Sequence, residues 1–286
     1  MITRTGNWIG KHLVLTRTGN WIGKHLVLTL GILVLIYMYI PNFVVALMSF
    51  NDSSGARNLY QFQSFTWDNW LNPCAPNGMC ESLRVSVEIA LVATIVATIL
   101  GTLASFALVR HRFEGRSTMN FFIFLPMATP EIVMGSSLLA LFVAAGMGGK
   151  LGFATILIAH ILFCLSFVIV TVRTRLAGLD SNLEKAAMDL YANPWHTFWR
   201  VTFPLIFPGI LAASLLAFSL SFDDFIITNL NAGQTVTFPM FVWGAAQRGV
   251  PMQVNVVGTA MFLISLAIVA IGEIGARRRA KLLASR

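Results

Sequence analysis

Six apolar runs, at about 26–48, 84–109, 119–145, 151–172, 205–228 and 254–276, constrain this chain more than any other feature. Each reaches the roughly 20 residues that a helix needs to cross the hydrocarbon layer of a bilayer. Composition agrees: 56% of the residues are hydrophobic and only 11% charged, where a soluble domain carries about 25%. A soluble core of 286 residues would leave more surface than so few charges could solvate. The expected fold class is all-α integral membrane, with six transmembrane helices.

The net charge of +8 does not point to nucleic acid, because the basic residues sit in the short gaps between apolar runs rather than on one solvated patch. They report orientation instead. With a cytoplasmic N-terminus, sixteen Lys and Arg fall in the N-terminal tail, the 2–3 loop, the 4–5 loop and the C-terminal tail. Only Arg57, Arg84, Lys150 and Arg248 fall outside. By the positive-inside rule both termini are cytoplasmic.

Residues 3–15 recur unchanged at 16–28. Repeat architectures use longer, diverged units in several copies, so this reads as a duplication or a scar, and the first copy carries no functional argument. Residues 1–25 are taken as a cytoplasmic tail and 26–286 as the membrane domain. No signal-peptide cleavage site follows, so the first apolar run is expected to remain as an uncleaved helix.

Two connections are too long to be turns. The outside loop, 49–83, holds Trp67, Trp70, Cys74 and Cys80; an oxidising compartment, together with the Pro and Asn-Gly turn residues between the thiols, favours a Cys74–Cys80 bridge over free cysteines. The inside loop, 173–204, is polar and helix-prone. It is interrupted at Asn193-Pro194, which predicts a helix, a break and a second helix.

That inside loop reads Leu183-Glu184-Lys185-Ala186-Ala187-Met188-Asp189-Leu190-Tyr191-Ala192-Asn193-Pro194, then Phe198, Val201 and Pro204. It resembles the "EAA" loop of ATP-binding-cassette importer permeases, roughly E-A-A-x-D-L-G-A, P, F-x-x-V, L-P. The resemblance implies a coupling-helix elbow between the fourth and fifth spans that docks into a groove of an ATPase subunit, with Ala186 and Ala187 small enough to sit deep. Leu190, Phe198 and Trp199 would be its apolar anchors. An amphipathic surface helix anchored by Trp195 and Trp199 is the plainer alternative.

Two positions depart from that pattern: the usual Glu aligns with Lys185 and the usual Gly with Tyr191. Gly takes a left-handed turn at little cost, whereas Tyr gives up about 1 kcal/mol there. Either the break moves to Asn193-Pro194 or Tyr191 recovers the cost by packing on the ATPase. Glu184 offers a carboxylate one position early, rotated by about 100°.

Charges inside apolar runs are costly and tend to face a cavity or a partner. Asp223 and Asp224 lie in the fifth run, Glu131 in the third, and Glu88 and Glu273 near helix ends, where a structural role is expected. Adjacent helical residues point about 100° apart, so Asp223 and Asp224 cannot share one face. Glu131 follows Pro130, with Pro126 one turn earlier; two prolines four apart break or bend the third helix and mark a pathway candidate. His160 and Cys164, one turn apart, lack further ligands and read as core packing rather than a metal site.

The segment Leu220-Ser221-Phe222-Asp223-Asp224-Phe225, with Phe238-Pro239-Met240 and Gly249-Val250-Pro251, resembles the spermidine/putrescine branch of those permeases. The resemblance implies a solute pathway through Asp223, Asp224, Glu131, Phe222, Phe225 and Trp243. It also implies a second homologous permease, two ATPase subunits that bind ATP and Mg, an extracytoplasmic solute-binding protein, and the bacterial inner membrane. This chain lacks G-x-x-x-x-G-K-[ST] and any catalytic constellation, so no cofactor and no enzymatic activity are expected of it. Related branches import ferric iron, sulfate or phosphonate. A secondary transporter would need no ATPase, and the elbow motif argues against it.

Overall fold

The computed structural model describes residues 6–52 and 61–284. In chain order the helices are α1 (Gly6–Met48), α2 (Asp68–Leu71), α3 (Met79–Arg110), α4 (Arg116–Ala128), α5 (Glu131–Ala144), α6 (Phe153–Ala177), α7 (Ser181–Asp189), α8 (Pro194–Thr197), α9 (Phe203–Asp223), α10 (Ile226–Asn231), α11 (Phe238–Arg248) and α12 (Met252–Ala284). Among the described residues the extended pairing amounts to one isolated bridge, Asn51 with Phe65. The chain divides into two compact units. One holds residues 1–76 and 249–286, the other residues 77–248.

Five stretches are long and apolar enough to cross a membrane: His25–Met48, Met79–Arg110, Phe153–Ala177, Pro194–Asp223 and Met252–Gly272. The third expected span is instead the pair α4 and α5, bent by 109° at its break. Thr129, held extended before Pro130, ends α4 by donating both its N–H (3.0 Å) and its hydroxyl (2.7 Å) to the Leu125 carbonyl. Counting that pair as one crossing gives six.

The fifth run also differs from expectation. It was expected to continue to 228, but α9 stops at Asp223 and Asp224 is extended. The cause is local: the Asp224 carboxylate accepts from the Thr228 N–H at 2.8 Å, and so starts α10. At the N-terminus α1 is helical from Gly6, ahead of the apolar stretch that begins at His25. Residues 1–5, and with them part of the duplication, lie outside the described residues, as do Arg57 and Arg286.

In the first unit α1 packs along α12, with Tyr39 and Phe262 edge to face at 6.1 Å. The loop between α1 and α3 is organised by Asn69. Its amide donates to the carbonyls of Ser49 (3.2 Å) and Asn51 (2.9 Å), while Phe50 packs against Phe65, Trp67 and Trp70.

In the second unit α3, α6 and α9 pack mutually around Ala97, Ala159, Phe163, Val168, Ala213 and Ala217. Small residues let these helices approach closely, as membrane interfaces require. At Gly101 a side chain would begin 2.6 Å from Val168 Cγ1. One turn on, the Ser105 hydroxyl reaches the Gly101 carbonyl (2.7 Å) and the Ile169 carbonyl of α6 (3.0 Å).

Candidate functional site

The elbow begins where Asp180 caps α7, accepting from the Asn182 N–H at 2.9 Å. Along α7, Lys185, Ala186 and Asp189 are exposed, while Glu184 and Ala187 are half-buried. Ala186 is thus the more exposed of the two alanines, and Ala187 is half-buried at the edge of the elbow's groove. The helix ends in a hydrogen-bonded turn, with Ala192 N–H on the Ala187 carbonyl (3.1 Å) and Tyr191 N–H on the Met188 carbonyl (2.9 Å). Tyr191 takes the left-handed conformation, φ +62°. The break does not move away from it. Asn193 then caps the next helix, accepting from the His196 N–H at 2.8 Å, with Pro194 in the first turn.

Tyr191 is 99% exposed and Leu190 83%, so within this chain no packing offsets the strain of that turn. Both line an open groove of about 460 Å³ with Ala187, Ala192, His196 and Arg200. Phe198 behaves differently from the outward anchor that was expected. It is half-buried and its ring lies 5.6 Å from Phe106 of α3. It opens a π-helical turn, Phe198–Thr202, that joins α8 to α9.

Glu184 does not substitute for an outward carboxylate either. Its Oε1 accepts from Arg110 Nη2 and from Thr202 Oγ1, both at 2.6 Å. On the same side Arg175 of α6 donates to the Leu205 carbonyl at 3.2 Å, over Gly209. Neither Arg110 nor Thr202 was legible as a partner of Glu184, since they lie 74 and 18 residues away.

The two aspartates separate because α9 ends at Asp223 and the chain is extended at Asp224. Asp223 is exposed at the end of α9, whereas Asp224 is buried. Asp224 Oδ2 accepts from the Thr228 hydroxyl at 2.8 Å and stands 3.3 Å from His160 Nε2. His160 in turn meets Thr228 Oγ1 at 2.8 Å and Ser221 Oγ at 2.7 Å. With the Thr228 proton committed to the carboxylate, Nε2 donates to Thr228, and Nδ1 shares the remaining bond with the Ser221 hydroxyl. His160 is in the core, as expected, but as the hub of a polar network rather than as packing. Cys164 beside it is buried and donates to the Ala217 carbonyl at 3.4 Å.

Glu131 is exposed at the start of α5, the helix that packs on α10 just beyond Asp224. In that packing the Asn231 amide reaches the Gly135 carbonyl at 3.1 Å. Phe225 and Trp243 stack obliquely at 5.2 Å, and Trp243 is exposed. Phe222 is buried against Phe218 and Phe238. Glu88 pairs with Arg84 at 3.4 Å on an exposed turn of α3, and Cys74 and Cys80 are disulfide-bonded. Among the described residues no three His, Cys, Asp or Glu side chains converge in a way that would hold a metal ion.

Residues 85–281 match the family model described as "Binding-protein-dependent transport system inner membrane component". The chain belongs to that family. As a member it is a multi-pass membrane protein and a transport component rather than an enzyme. It is 35% identical over 244 residues to the spermidine/putrescine transport system permease protein PotC of Haemophilus influenzae, covering 85% of this chain and 93% of that one. To the putrescine transport system permease protein PotI of Escherichia coli K12 it is 36% identical over 245 residues, 84% of each. Among solved structures, a bacterial ABC transporter involved in the import of the acidic polysaccharide alginate aligns with TM-score 0.62 at 18% identity, over 91% of this chain and 97% of that one. At that identity the likeness speaks for the fold alone.

Proposed function

We propose that this family member is one permease subunit of an ATP-driven polyamine importer. It would pair with a second homologous permease, two ATPase subunits that bind ATP and Mg, and an extracytoplasmic solute-binding protein. Both its termini would face the cytoplasm across a bacterial inner membrane. The identity to PotC and PotI over most of the chain supports the solute class.

The observation that carries the coupling role is the elbow's exposed tip. An unoffset left-handed Tyr191 beside exposed Leu190 is what a surface looks like before its partner covers it, because large apolar side chains of this kind anchor interfaces. On the ATPase, closure of the nucleotide-binding pair would carry α7 with it and turn the pore between its outward-open and inward-open states. Ala186→Trp, on the outward face of α7, should abolish co-purification of the ATPase while the spans stay folded; retention of both ATPase and transport would rule the elbow out as the coupling site.

For the solute, Asp223 and Glu131 supply carboxylates that replace water around ammonium groups. The Phe225–Trp243 pair offers a face for cation–π contact, about 0.5–2 kcal/mol each. Asp224 holds the frame on which Asp223 sits. In the assembled transporter Asp223→Asn and Glu131→Gln should lower uptake of radiolabelled putrescine or spermidine about tenfold, the equivalent of about 1.4 kcal/mol. Unchanged uptake in both variants, or import of an anion instead, would overturn the polyamine reading.

A further inference from the structure

One carboxylate oxygen ties the elbow to two spans at once. Glu184 Oε1 accepts from Arg110 at the cytoplasmic-loop end of α3 and from Thr202 at the end of the π-helical turn that leads into α9, each at 2.6 Å. Among the described elements α7 otherwise packs to any extent only on α8 and that same turn. The carboxylate is thus its link to α3. A second contact on the same path, Phe106 with Phe198 at 5.6 Å, holds the π-helical turn against α3.

We propose that Glu184 is a positioning residue that delivers the displacement of α7 to α3 and α9 together. This rests on the coupling role proposed for the elbow and adds the route by which its motion reaches the pore. Three physical features point that way. Charge-assisted bonds this short are stiff and directional, so α7 cannot swing without pulling both donors. The two bonds share one acceptor atom, so the ends of α3 and α9 move as a pair rather than independently. The partly exposed pair, 29% for Arg110 and 18% for Glu184, is too solvated to matter much for stability; what it provides is a fixed direction. The π-helical turn that ends in Thr202 adds to this, since such turns are rare and cluster at functional positions in helices.

The test uses the assembled complex, with solute-independent ATP hydrolysis as its readout. If Glu184 couples the spans to the ATPase, Glu184→Gln and Arg110→Gln release the ATPase from the slow movement of the pore. Hydrolysis without solute should then rise several-fold while the ATPase still co-purifies. Exchanging the charges, Arg110→Glu with Glu184→Arg, should return the rate to within about twofold of the unaltered complex, as a direct pair predicts in a double-mutant cycle. Unchanged hydrolysis in both single variants overturns the proposal. If the single variants shed the ATPase, its recovery in the exchanged variant supports the pair, and its loss there too overturns it. Hydrogen exchange on the chain alone gives an arm free of docking: Glu184→Gln must raise exchange across residues 181–190 relative to 153–177, and equal exchange overturns the tether. An unaltered chain that retains no ATPase overturns the coupling role itself, which the exchange measurement would leave distinguishable.

Discussion

His160 of α6 and Asp224 at the end of α9 stand 3.3 Å apart, Nε2 to Oδ2, with both side chains almost wholly buried. The pair bolts the α9–α10 break to the central helix of the second unit. Asp223, one residue earlier, is left to face outward. Removing one partner of such a pair leaves the other buried and unsatisfied, so Asp224→Ala and His160→Ala should each destabilise the chain by about 3 kcal/mol. Asp223→Ala should cost less than about 0.5 kcal/mol. Thermal unfolding in detergent reads the contrast; equal losses at 223 and 224 would refute the division of labour.

Tyr191 gives a prediction of opposite sign. A non-glycine residue in the left-handed region costs about 1–2 kcal/mol, and at 99% exposure the ring contributes no packing within this chain. Tyr191→Gly should therefore stabilise the isolated chain by up to about 1 kcal/mol, reduced by the greater freedom of Gly when unfolded. The same change should weaken ATPase co-purification. A destabilised chain would mean the ring packs where it stands bare here.

At Gly101 there is no room for even a methyl group, because Val168 Cγ1 lies 2.6 Å from where it would start. Gly101→Ala should cost about 1–3 kcal/mol through overpacking at the α3–α6 crossing. Gly31, with nothing near it, should accept Ala without loss. Parallel melting curves of the two variants check this.

Mass spectrometry of unreduced protein should return one bridged peptide containing Cys74 and Cys80. The loop between them is short, so the chain-entropy model gives the bridge about 2 kcal/mol. Alkylation of both thiols without reduction would exclude it.

Most of the fold could be read from apolar run length, because lipid forces every backbone group to find its partner within the span. Local chemistry was equally readable: two prolines four apart foretold the broken third crossing, and Asn193-Pro194 foretold a helix start. What stayed hidden were pairings across long sequence separations. His160 was read as packing because Ser221, Asp224 and Thr228 lie more than 60 residues on, and no local pattern announces them. Asp224 looked like half of a solute site until its hydrogen bonds were seen to start α10. Glu184 looked like a misplaced docking residue until Arg110 and Thr202 were found on it.

The 109° bend between α4 and α5 has a chemical consequence that lies in the backbone. Proline has no N–H, so Pro126 and Pro130 withhold the donors that would have met the carbonyls of Phe122 and Pro126, four residues earlier in each case. Neither carbonyl can be met by the amide four residues on, in an otherwise apolar run that leads to the turn where Glu131 begins α5. Carbonyls carry no charge to desolvate, yet they coordinate cations much as water does. On the polyamine reading proposed above, a crossing broken in this way would offer a passing cation neutral oxygen before it meets the Glu131 carboxylate, so that it need not bind so tightly to one acid that it cannot leave.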